Sequence, residues 1–96
     1  MKNFDFIYDT VETVTWIDKG LKYHVDWLSP KKKGEVESEL FYLYELYGKK
    51  ALDLLASELN NLGWYTITWL EPDIRYGLVP RISIVSWESQ NALLAA

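Results

Sequence analysis

Cysteine is missing from this 96-residue chain, so it has no disulfide framework, no thiolate nucleophile and no cysteine zinc site. A single histidine, His24, leaves any imidazole chemistry one candidate. Arginine is scarce, with only Arg75 and Arg81, and the net charge of −4 is spread evenly along the chain. That balance excludes the clustered basic face of a duplex nucleic-acid binder. It equally excludes a concentrated acidic surface. No apolar run approaches the roughly 20 residues that a spanning helix requires. Glycine-rich phosphate loops are also missing, and the N-terminal residues lack the charged-then-apolar pattern of a secretory signal. The expectation is a cytoplasmic protein without cofactor, metal or membrane segment.

Aromatic side chains are what the chain has in abundance: five Trp, seven Tyr and three Phe. Large amphipathic rings serve cores and interfaces alike. A chain of this length forms one domain with a modest core, and it cannot readily hide so many rings within itself. That imbalance points to a partner surface, supplied by a second copy in a homodimer or by another protein.

Local patterns predict an α+β domain over residues 1–87 in ββαββ order, followed by a weakly structured tail over 88–96. Val11 to Ile17 is rich in β-branched residues, which favours a strand. Helical spacing is the rival there, since Phe4, Ile7, Tyr8, Val11 and Val14 would share one helix face. Asp18-Lys19-Gly20 reads as a hairpin loop. The stretch Leu21–Leu28 then alternates Leu21, Tyr23, Val25 and Trp27 against Lys22, His24 and Asp26. Ser29 to Gly34 breaks that pattern. Val36, Leu40, Tyr44, Tyr47, Ala51, Leu55, Leu59 and Leu62 recur at steps of three and four, which predicts one long helix over Glu35–Leu62. Trp64–Leu70 and Arg81–Trp87 read as strands. The result is a four-stranded antiparallel sheet with one helix packed across it.

These lengths conflict. A helix over Glu35–Leu62 runs about 42 Å, whereas strands of seven residues reach about 23 Å. The helix overhangs its sheet unless it bends at Gly48, and the overhang exposes leucines that a partner would cover. Most of the sheet, moreover, is apolar on both faces, whereas a solvated face is expected to be polar. The expected interface comprises Trp64, Trp69 and Trp87 from the sheet, with Tyr42, Leu46, Leu52 and Leu55 from the helix.

Signals for chemistry are few. His24 and Asp26 lie two apart, where a carboxylate would orient an imidazole. Glu58 falls by helical phase inside the apolar stripe, where an unpaired carboxylate is costly. Lys31-Lys32-Lys33 is a charge run near aromatic residues. The expectation is therefore a small non-enzymatic interaction protein, of the kind found among bacterial or phage accessory proteins and inhibitors of immunity or anti-defence type. Two rival readings are a single-strand nucleic-acid binder using Lys31–Lys33 with exposed rings, and a small-ligand or enzymatic pocket around His24, Asp26 and Glu58.

Overall fold

A computed structural model describes residues 2–86, with side chains described from Asp5 to Val85. The order is three helices followed by a hairpin: α1 (Lys2–Tyr23), α2 (Pro30–Tyr47), α3 (Lys49–Asn61), β1 (Trp64–Asp73) and β2 (Gly77–Ser86). The sheet has two antiparallel strands, so the four-stranded ββαββ arrangement with one long helix is not what forms.

The first half departs most from expectation. Residues 11–17, expected as a strand, lie inside α1. The hydroxyls of Thr10, Thr13 and Thr15 donate to the carbonyls of Phe6, Asp9 and Val11 at 2.8, 3.0 and 2.9 Å, four residues back in each case. Each hydroxyl is thereby satisfied within the helix, an arrangement that fits threonine into α1 but adds nothing to helix stability. Burial follows the helical period through Thr10, Val14, Ile17 and Gly20, with Phe6 and Leu21 packed beside them. Ile7, Tyr8 and Val11, the face suggested by spacing, are exposed instead. β-Branched residues cost only a few tenths of a kcal/mol each in a helix, and burial of the Val14–Ile17 face outweighs that.

The alternation from Leu21 to Trp27 is not a strand either. α1 continues to Tyr23, and residues 25–28 form a tight connection closed by Trp27 N–H to His24 C=O and Ser29 N–H to Asp26 C=O. Tyr23 and Val25 are exposed, Trp27 is buried in the core, and Leu21 packs half-buried against it. A Cβ on Gly20 would occupy the space of the Trp27 indole, so glycine there lets the ring lie directly on α1.

α2 starts earlier than expected. Ser29 caps it, accepting from the Lys32 N–H at 3.4 Å, and Pro30 takes the first helical position. The helix then ends at Gly48, whose φ of +80° is ordinary for glycine and strained for other residues. The continuous helix is thus two helices. α3 folds back to pack against α1, α2 and β1. Leu52, Leu55 and Leu59, which an overhanging rod would have exposed, are buried with Leu40 and Leu43. Each such leucine contributes roughly 1.5–3 kcal/mol through burial.

The hairpin lies where strands were expected and is longer at its inner end. Three residues, Ile74 to Tyr76, connect the strands. The Asp73 carboxylate accepts from the N–H groups of Arg75 and Tyr76 at 2.8 and 3.2 Å, and Gly77 adopts φ +80°. β1 alternates cleanly: Thr66 is buried, Thr68 and Leu70 are half-buried, and Tyr65, Ile67 and Trp69 face out.

Candidate functional site

The candidate site is the outer face of this hairpin. The register places Tyr65 opposite Val85, Ile67 opposite Ser83, and Trp69 opposite Arg81, all on one side of the sheet. Tyr65, Ile67 and Trp69 are 42%, 48% and 37% exposed. Residues of the opposite face, Thr66, Ile82 and Ile84, turn toward the helices. The exposed row is therefore a second apolar face rather than an edge of the core.

Its far end is held by a charge network. The Trp69 indole N–H donates to Glu71 Oε1 at 2.9 Å, and Arg81 Nε donates to Glu71 Oε2 at 3.3 Å. Arg81 also approaches Glu37 of α2 at 3.7 Å. The indole hydrogen bond, then the Arg81 bond, hold the Glu71 carboxyl below its ordinary value, against a smaller opposing effect of burial. Arg81 thus links the sheet face to α2, and Trp69 is fixed at its rim.

Both strand edges are closed by helix side chains at one point each. The Asn60 carboxamide pairs with Thr66 on β1, and the Glu37 carboxylate accepts from the Ile82 N–H of β2 at 3.1 Å. Pro80, on the same outward parity as Ile82, leaves the ladder no missing donor.

The expected interface residues separate into groups. Trp69 lies on the exposed sheet face. Trp64 is half-buried on the inner side, its indole N–H donating to Asp18 Oδ1 of α1 at 2.7 Å. Tyr42 and Leu46 share an exposed side of α2, while Leu52 and Leu55 are buried and unavailable to a partner. Trp87 and the tail over 88–96 lie outside the described residues. Tyr65 and Ile67 were missed, although their alternation with Thr66 and Thr68 carried the signal. Missed too was the exposed row Tyr8, Val11 and Trp16 on α1, hidden by the strand assignment.

His24, Asp26 and Glu58 do not converge. His24 and Asp26 are exposed in the connection before α2, with the imidazole stacked on Trp27 at 6.0 Å between ring centres. Glu58 lies half-buried on α3, and no hydrogen bond or ion pair joins these three side chains among the described residues. No group of three metal-ligating side chains occurs among the described residues. Lys31–Lys33 occupy the first turn of α2, not a loop. Lys32 is engaged by Glu35 at 2.9 Å and lies 4.7 Å above the Trp27 ring.

No described helix is long and apolar enough to cross a membrane. No family model, curated protein or solved structure matches this chain.

Proposed function

We propose that this protein is a non-enzymatic interaction module that docks on a protein partner through the outer face of its hairpin. The carrying observation is the row Tyr65, Ile67 and Trp69, exposed on a sheet whose other face already serves the core. Trp, Tyr and Arg dominate the energetics of protein interfaces, and Trp69, Tyr65 and Arg81 are all on this face. Glu71 and Arg81 fix the ring that would anchor the contact, which lowers the ordering cost of binding.

Size decides what role the row plays. Three side chains of roughly 200 Å² each, at their observed exposures, offer about 250 Å². A standard interface covers about 800 Å² per partner. The row is therefore the centre of a contact whose rim comes from neighbouring surface.

A photoreactive benzophenone side chain in place of Ile67 tests this in cells that make the protein. Irradiation is expected to give one adduct of discrete mass, absent when the same group replaces Ser57 on the exposed side of α3. An adduct of twice the chain mass identifies a second copy as the partner. Equal, diffuse labelling at both positions removes the reading.

A further inference from the structure

The outer edge of β2 holds a second opening, separate from the aromatic face. Ile82 sends its N–H out of the ladder to Glu37, and in an antiparallel pair alternate residues point both backbone groups the same way. Ile84 shares that parity. Among the described residues nothing accepts its N–H or donates to its C=O. Beside this stretch runs a slot of about 210 Å³ lined by Trp27, Leu28, Lys33, Val36 and the β2 residues Ile82, Ser83 and Ile84.

Three features together specify an occupant. Open strand backbone selects an extended polypeptide, whose own N–H and C=O groups repeat at strand spacing. The volume lies below the roughly 300–1,000 Å³ of small-molecule pockets, and its mainly apolar walls suit an aliphatic side chain. Charge supplies the third. Among the described residues Lys33 is the one charged member of the lining, and Lys31 stands in the same helical turn. The nearest α2 carboxylates are occupied, Glu35 by Lys32 and Glu37 by Arg81. Lys33 forms no ion pair among the described residues, although its charge reaches Glu71, so an acidic group on the ligand would find an ammonium at the rim that no carboxylate contacts.

We propose that the slot and the β2 edge at Ile84, beyond the point that Glu37 closes at Ile82, bind an extended segment of another protein, in which an aliphatic side chain neighbours an acidic one, as a third strand of the sheet. This rests on reading the chain as a protein-binding module, but it uses a different surface from Tyr65, Ile67 and Trp69.

The test is selection of displayed random 12-residue peptides on the full chain, followed by titration of the enriched peptide as a synthetic probe. The expected consensus places Asp or Glu beside Leu, Ile or Val. Ile84→Pro removes the outward N–H at a parity where Pro80 is already tolerated, and it should weaken binding at least tenfold. Lys33→Glu and Leu28→Asp should do likewise, while Trp69→Ala leaves affinity unchanged. Leu28 is about half exposed, so Leu28→Asp carries the test if Ile84→Pro does not fold by circular dichroism. The proposal is overturned if no sequence is enriched, or if binding survives both Ile84→Pro and Leu28→Asp. It is overturned too if light scattering finds the free chain already dimeric and Ile84→Pro makes it monomeric. Peptides lost with Trp69→Ala alone would overturn this site while sustaining the aromatic-face reading.

Discussion

Asn60 closes the free edge of β1 as a neighbouring strand would, its Oδ1 accepting from the Thr66 N–H at 2.9 Å and its Nδ2 donating to the Thr66 C=O at 3.0 Å. One side chain from the end of α3 thereby satisfies both outward groups of a residue that is 3% exposed. Asn60→Ala leaves that donor and acceptor without partners and is expected to cost about 1–3 kcal/mol. Asn60→Asp keeps the acceptor, loses the donor, and should fall between. Urea denaturation checks the order, and exchange of the Thr66 amide should accelerate in both variants. Equal stability of Asn60→Ala and the parent would show that water replaces the carboxamide without loss.

Gly20 and Trp27 set two effects of opposite sign against each other. Alanine is favoured over glycine by about 1 kcal/mol in a helix interior. Here, however, the new methyl would meet the indole ring of a residue already gripped by Trp16, edge-on at 5.1 Å between ring centres, and by Lys32. Overpacking of this kind costs about 1–3 kcal/mol, so Gly20→Ala is expected to destabilise. Thermal unfolding decides the sign. A raised Tm would mean that Trp27 moves aside freely.

How far the fold could be read depends on what each signal measures. The hairpin was legible because Thr and apolar residues alternate from Trp64 to Leu70 on a half-buried surface, which is what period two reports. α1 was not, because Val11, Thr13, Val14 and Thr15 favour strand locally and tertiary burial of Val14 and Ile17 decided otherwise. The phase of the stripe runs unbroken through Gly48, so periodicity alone could not reveal the turn there. Only the positive φ of Gly48 breaks the rod. Of the candidate interface, Trp69 was readable from alternation. The burial of Leu52 and Leu55 followed from the break at Gly48 and was therefore misread with it.

Tyr47 and Asp9 make a pH-dependent link between α2 and α1. The Tyr47 hydroxyl donates to Asp9 Oδ2 at 2.6 Å. That hydrogen bond first, then partial burial and the carboxylate's charge, push the phenol up to about 12 from its usual 10.0. The folded chain favours the protonated phenol, so the contribution is complete below pH 10 and is lost as pH rises from 10 toward 12. Ultraviolet titration should show one of the seven tyrosines ionising late, and Tyr47→Phe should abolish that late step. Stability of Tyr47→Phe should also fall less steeply than the parent above pH 10. A titration in which the late tyrosine persists in Tyr47→Phe would disprove the assignment.

Trp69 titrates indirectly, through Glu71. The carboxyl is held below its ordinary 4.5 by the indole hydrogen bond and by Arg81. A lowered folded pKa makes the contribution present above the unfolded value and lost as pH falls through the lower folded one. Because Glu71 is exposed, solvent screens the pair, and the effect should be local to the rim rather than global. The Nε1–H resonance of Trp69 is therefore expected to hold steady down to about pH 4.5 and to shift only below it. Glu71→Gln keeps a carbonyl acceptor for the indole but has no proton to gain, so the shift should vanish while the resonance stays near its neutral-pH position. Binding of the partner should weaken over the same acid range in the parent and not in Glu71→Gln. A Trp69 resonance that moves identically with pH in both proteins would show that Glu71 does not hold the ring, and that the anchor is fixed by packing alone.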